Sequence, residues 1–145
     1  MQAHYDRLGI RAKVSLTEHF GHYRTILAVQ GNPLVSVVIA DRGKAEAAKA
    51  AVISAAETSV YQNYEIILVT SGTGSGSYDF PAEIMERVHF TDGGNEKNVS
   101  LLLNAGADAA SGEVLLFLDP ETKILTPNWI DEMLGYCQRA DVGAV

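Results

Sequence analysis

Five consecutive apolar residues, Val114 to Leu118, end at once in Asp119-Pro120-Glu121. A run of this kind, bounded by Gly112 upstream and Pro120 downstream, reads as a strand buried on both faces. In open α/β sheets ligands bind just beyond the carboxyl ends of the strands. Two carboxylates placed there suit a hard cation that carries phosphates, because Mg²⁺ is typically held by one or two carboxylates together with phosphate oxygens and water. The same acids also read as loop residues capping a turn. The segment by itself leaves both readings open.

The rest of the chain supplies the context for that strand. Leu34 to Ala40 is a β-branched apolar run and a second buried strand. Asp41 follows it and is placed to cap the next helix. Lys44 to Thr58 is Ala-rich, with Ala48, Val52, Ala55, Ala56 and Val60 at helical spacing on one face. Glu65 to Thr70 reads as a strand, Pro81 to Arg87 as a short helix and Val88 to Phe90 as a short strand. Asn98 to Ala110 reads as a helix ending at Ser111-Gly112. Thr126-Pro127 starts a last helix, with Thr as N-cap and Pro in the first turn, and Asp141 to Val145 opens a further strand. Strands alternating with helices imply a mostly parallel open sheet with helices on both faces, an α/β fold of about five strands. Ending within a strand suggests a domain cut from something longer. Residues 1–32 are different in character: they hold His4, His19 and His22, and Arg11–Leu16 and Tyr23–Val29 read as two short strands. Gly31-Asn32-Pro33 is a turn and a boundary, giving a lead-in over 1–32 and a domain over 33–145.

Composition narrows the function classes. At 145 residues the chain is about one domain, large enough to bury a core. The formal net charge of −7 argues against nucleic-acid binding, which calls for a basic stripe, and against docking on anionic lipid by bulk charge. The single cysteine, Cys137, forms no internal disulfide, which points to a reducing compartment; the expected location is the cytoplasm, with the inner face of the membrane as the place within it where such a chain could act. No segment approaches the roughly 18 consecutive apolar residues of a membrane-spanning helix.

Several stretches, in order and at matching spacing, closely resemble family 2 glycosyltransferases of the GT-A fold. They are P-L-V-S-V-V-I-A from Pro33, S-V-Y-Q-N-Y-E-I-I-L-V from Ser59, L-N-A-G-A-D-A-A-S-G-E-V-L-L-F-L-D from Leu103, T-P-N-W-I-D-E-M-L from Thr126 and D-V-G-A-V from Asp141. The lead-in Y-R-T-I-L-A-V-Q-G-N-P-L-V-S is similar to the segment preceding this domain in bacterial O-antigen and rhamnan-type transferases. The resemblance implies a nucleoside-diphosphate sugar as donor, a divalent cation (Mg²⁺ or Mn²⁺), an inverting transfer and a cell-surface polysaccharide as acceptor. It implies that Ala40 and Asp41 face the base or ribose, that Ser71 and Gly72 lie where the family binds the base or ribose, and that Asn104 and Gly106 pack against the nucleotide. Asp119-Pro120-Glu121 falls on the family's DXD motif, so Asp119 would touch ribose or metal and Glu121 would hold the cation.

Three positions depart from the pattern. The acidic pair that follows the second strand in the family falls on Thr70-Ser71-Gly72-Thr73, where both acids are absent. The last acid of the metal motif is Glu121 rather than Asp, one methylene longer, at a cation that favours near-ideal octahedral geometry. The family's catalytic base belongs to the half of the domain that also holds the acceptor, and no residue here matches it. The expectation is a truncated nucleotide-sugar-binding half with no useful transfer activity by itself. The alternative is a binding or structural module on the same fold that has lost catalysis. A final strand left as a sheet edge would also be a template for self-association.

Other readings carry less. Gly72 and Gly74 follow a strand, but Ser77 stands at the third position of a G-x-G-x-x-G pattern and no helix opens from the loop, so a mobile surface loop is expected. His89 reads as a half-buried packing residue, and Trp129, at helical spacing with Met133, as core.

Overall fold

The structure, a computed structural model, describes residues 1–72 and 74–145, the side chain of Ser75 excepted; Thr73, the last residue of the Thr70–Thr73 segment, lies outside the described residues. The chain divides into two compact units, Pro33–Pro127 and Met1–Asn32 with Asn128–Val145.

The larger unit is built on a four-stranded sheet. β3 (Val35–Ala40) and β4 (Tyr64–Thr70) are buried along their whole length, as continuous β-branched and apolar runs require. β5 (Val88–Asp92) and β6 (Val114–Leu118) flank them, giving the order β5-β4-β3-β6 with every pair parallel. Val35 stands opposite Tyr64 on one side and Val114 on the other. The chain steps outward from β3 to β4 to β5, then returns to the far side of β3. Right-handed crossovers therefore place α2 (Ala45–Thr58) and α3 (Ala82–Met85) on one face and α4 (Val99–Ala109) on the other.

Each helix has a local reason. α2 buries Ala48, Ala51, Val52 and Ala55, a stripe of small residues. Ala56 is only half-buried, and Val60 lies beyond the helix end with 56% of its surface exposed. α4 opens at Asn98, whose side-chain oxygen accepts from the Ser100 N–H at 3.0 Å. Leu102 packs it onto Val38, Ala40, Ile67 and Val69. Gly106 lets it come closer still: a Cβ there would lie 2.9 Å from Val69 Cγ2 and nearer to Val38 Cγ1. Gly106 thus faces the sheet, and the close approach it permits is to Val38 and Val69. The turn before β6 is equally tight, since a Cβ on Gly112 would lie 2.7 Å from the Leu34 carbonyl oxygen. Below it the buried Glu65 carboxylate accepts from Ser36 Oγ at 2.6 Å and from the Ser111 N–H at 2.7 Å. His89, expected half-buried, is exposed, with Nε2 3.5 Å from the other Glu65 oxygen.

Two further features differ from expectation in this unit. β6 is not buried on both faces: it is an edge strand, and Leu115 and Phe117 are 42% and 52% exposed. Burial on both faces needs cover from helices, and α4 lies over β3, β4 and β5 instead. Asp41 does not cap α2. Lys44 occupies the N-cap without a side-chain hydrogen bond, and the Asp41 carboxylate turns inward.

The smaller unit holds α1 (Gln2–Arg7), an antiparallel hairpin of β1 (Ala12–Leu16) and β2 (Tyr23–Leu27), and α5 (Trp129–Cys137). α5 is fastened to β2 and its continuation. Gly135 lies against the Leu27 carbonyl, Tyr136 Oη donates to the Thr25 carbonyl at 2.7 Å, and Gln30 and Gln138 exchange two hydrogen bonds. Arg24 pairs with Glu132, and that guanidinium holds the Glu132 carboxyl below its ordinary range. Trp129 is buried. The helix begins at Trp129 behind Asn128, so Thr126 and Pro127 are not its cap and first turn. Residues 141–145 form no strand; Asp141 stands in a turn in which Arg139 makes two bonds to its carboxylate.

Candidate functional site

The order β5-β4-β3-β6 reverses between β3 and β6, and the crevice outside the carboxyl ends of those two strands is where open α/β sheets take ligands. A cleft of about 130 Å³ lies there. Ala40 and Arg42 line it from the end of β3, Leu118, Asp119 and Pro120 from the end of β6, and Val99 and Leu103 from α4. A hollow of about 670 Å³ beside Arg11 and Ile26 belongs to the smaller unit, and one of about 500 Å³ beside Ser54 and Ile124 adjoins the crevice, sharing Pro120 with it and taking Glu121 into its own wall. The crevice is the better candidate because its position follows from topology and the ion-paired Arg42 and Asp119 line it.

Two loops make the rim. After β3 the chain runs Asp41-Arg42-Gly43-Lys44. Arg42 has φ +52°, the one non-glycine residue with positive φ among those described, and Gly43 follows at +74°. Such a conformation costs a side-chain-bearing residue on the order of 1 kcal/mol and persists only where surroundings hold it. Asp41 does the holding. Its fully buried carboxylate accepts from the Gly43 N–H at 3.0 Å, the Ser71 N–H at 2.8 Å and the Tyr78 hydroxyl at 2.7 Å, while its carbonyl accepts from the Lys44 N–H at 2.7 Å. This one side chain therefore ties together the loops that follow β3 and β4.

The second loop follows β6. Asp119 Oδ1 accepts from the Glu121 N–H at 2.9 Å, and its carbonyl accepts from the Thr122 N–H at 3.0 Å, so the turn is closed by the acid itself. Both acids meet cations from the first loop. Arg42 Nη2 lies 2.9 Å from Asp119 Oδ2, and Lys44 Nζ lies 2.9 Å from Glu121 Oε1.

The expected nucleotide residues fall into three places. Ala40 and Asp119 line the cleft. Asp41, Ser71 and Gly72 form the adjoining loop junction: Ser71 Oγ donates to the Glu96 carbonyl at 2.6 Å, and the Gly72 N–H donates to the Gly94 carbonyl at 2.7 Å. The Glu96 carboxylate accepts from the Lys97 and Asn98 N–H groups, both at 2.7 Å, and these hold it below its ordinary range, the Asn98 bond contributing most. Thr70 is buried and donates to the Thr91 carbonyl at 3.5 Å. Asn104 stands apart, exposed on α4 and not among the residues lining the cleft. Sequence reasoning missed Arg42 and Lys44. The signal was two cations spaced like the two acids, each set directly after a buried strand.

Asp119 and Glu121 are two carboxylates, each engaged by a basic residue, and no group of three or more His, Cys, Asp or Glu among the described residues is arranged to hold a metal. Two carboxylates do not make a protein-only cage for a cation. They fit one whose remaining ligands are phosphate oxygens and water. Among the described residues no helix is long and apolar enough to cross a membrane.

Ser36 to Val145 match the family model described as "Glycosyl transferase family 2". Over 127 residues the chain is 29% identical to the uncharacterized protein y4gI of Sinorhizobium fredii, a match covering 85% of this chain and 14% of that protein. It is 28% identical to the O-antigen biosynthesis protein RfbC of Myxococcus xanthus, across 100% of this chain and 12% of that protein. The chain thus spans 12% to 14% of the length of these curated relatives. Its fold is similar to that of the mannosyltransferase PcManGT from Pyrobaculum calidifontis, solved in complex with GDP-Man and Mn²⁺. The TM-score is 0.66 at 14% identity, over 81% of this chain and 36% of that one.

Proposed function

The chain belongs to glycosyl transferase family 2, and from that premise we propose that it forms the donor-binding part of an enzyme that moves a sugar from a nucleoside diphosphate to a cell-surface polysaccharide. One observation carries this reading: Asp119 lines the switch-point cleft at the end of β6, and Glu121 follows it in the same loop, each paired with a base from the loop after β3. The base and ribose would lie along Ala40 and the junction of Asp41, Ser71 and Gly72, with the diphosphate toward Asp119. Asn104, exposed on α4 and outside the cleft lining, would meet the nucleotide only from the side of that helix. A divalent cation shared between Asp119, Glu121 and the diphosphate would supply positive charge against the departing diphosphate. Polysaccharide as acceptor is suggested by the similarity to an O-antigen biosynthesis protein. No residue here is assigned as the base that deprotonates the acceptor.

A second reading, a glycosyltransferase-like module without catalysis, draws on the β4 end. Thr70 and Ser71 replace two acids, and both hydroxyls already donate to backbone carbonyls. A neutral group gives up part of the roughly 1.5–3 kcal/mol that a charged hydrogen bond contributes. Asp119→Ala tests the proposed site. It should abolish Mn²⁺-dependent binding of UDP, dTDP or GDP while leaving the unfolding midpoint near that of the wild type. Equal binding by both proteins rejects the assignment of Asp119.

A further inference from the structure

We propose that Arg42 and Lys44 are the diphosphate-binding cations of this site, parked on Asp119 and Glu121 until the donor and its cation arrive. The proposal rests on the reading of the cleft as a nucleoside-diphosphate site and adds to it two residues that the family motifs do not assign.

The geometry is paired. Two bases two residues apart, on the loop after β3, reach two acids two residues apart, on the loop after β6, with both ion pairs at 2.9 Å. The strands beneath are hydrogen-bonded neighbours, so the loops have a fixed separation. The backbone of the first loop is pinned by the buried Asp41, which leaves the Arg42 and Lys44 side chains as the parts that swing. Lys44 and Glu121 have more than half of their side-chain surface exposed, and Asp119 as well, so the change of partner needs no unfolding.

Charge decides the order of events. With both pairs formed, the rim carries no net charge and offers a diphosphate little attraction. A divalent cation on Asp119 and Glu121 cancels the two acids and leaves two positive side chains beside the cleft. Phosphate oxygens suit them, since a guanidinium can bind phosphate through two parallel hydrogen bonds and an ammonium acts as a mobile point charge. Each partner therefore helps the other bind. By reciprocity, Mn²⁺ raises nucleotide affinity by the factor by which nucleotide raises Mn²⁺ affinity. Mn²⁺ without nucleotide must break two ion pairs whose bases have nowhere better to go.

The test is a titration of Mn²⁺ alone, read by the loss of its free-ion EPR signal, followed by UDP, dTDP and GDP at saturating Mn²⁺. The variant is Arg42→Asn with Lys44→Gln; asparagine tolerates the left-handed backbone at position 42. Mn²⁺ alone should bind the variant about two- to thirtyfold more tightly, the range for freeing two surface pairs. Nucleotide binding at saturating Mn²⁺ should weaken by about tenfold or more, as charge-assisted phosphate contacts are lost. Lys123→Gln is the control. It removes a positive charge two residues from Glu121 from a side chain without an ion pair among the described residues, and should change Mn²⁺ affinity by less than about twofold. The proposal is overturned if Lys123→Gln matches the double variant, if the double variant gains no Mn²⁺ affinity, or if its nucleotide binding is unchanged. Should the wild type bind no nucleotide even with Mn²⁺, the donor-site reading fails and takes the diphosphate role with it, while the Mn²⁺ titrations still decide whether the bases hold the acids. Unfolding midpoints confirm that each variant is folded.

Discussion

Gly106→Ala sets two effects of known sign against each other. In a helix interior alanine is more favourable than glycine by roughly 1 kcal/mol. Here the new methyl would lie 2.9 Å from Val69 Cγ2 and closer to Val38 Cγ1. Overpacking a close-packed interior costs roughly 1–3 kcal/mol. Both neighbours are fully buried, and as β-branched residues on central strands they have little rotamer freedom with which to yield. The upper part of that range applies, about 2–3 kcal/mol, and the net is about 1–2 kcal/mol of destabilisation. With a urea slope of about 2 kcal/mol per molar, the unfolding midpoint should fall by about 0.5–1 M. Val38→Ala removes the nearer obstacle, so in the double variant the two costs should sum to less than their separate values by about 1 kcal/mol. A midpoint at or above that of the wild type would refute the claim that α4 is seated on the sheet through Gly106.

Two further predictions concern the ties between loops and within the smaller unit. Asp41→Ala leaves three donors around a buried position without their acceptor and should cost about 3 kcal/mol, whereas Tyr78→Phe should cost about 1 kcal/mol and add little on top of Asp41→Ala; urea unfolding of the three variants measures this. The Glu132 carboxyl is held below its ordinary range by the Arg24 hydrogen bond. Its contribution is therefore present above about pH 4.5 and is lost as the pH falls through the lower, folded-state value. Glu132→Gln should accordingly be less stable than the wild type at neutral pH and converge with it at strongly acid pH; a difference that grows on acidification would reverse the assigned sign.

The central strands were legible because β3 and β4 are continuous runs of residues that suit a sheet covered on both faces. β6 carries the same signal, but its burial depends on which helix lies above it, and α4 covers its neighbours instead. Asp119 and Glu121 were legible as acids at a strand end. Asp41 was misread as a helix cap because its partners Ser71 and Tyr78 lie 30 and 37 residues away. The cap is a local pattern, and a buried carboxylate satisfied by distant donors leaves none. Arg42 and Lys44 were missed for the same reason, since each meets its acid 77 residues downstream. Residues 141–145 show the converse: local apolar character promised a strand, and the segment pairs with none.

The most direct test of the donor-site reading is calorimetric titration of UDP, dTDP and GDP into the protein with and without Mn²⁺. The account predicts that one of them binds, and binds more tightly with Mn²⁺. No binding at millimolar nucleotide under either condition would contradict it and favour the non-catalytic module.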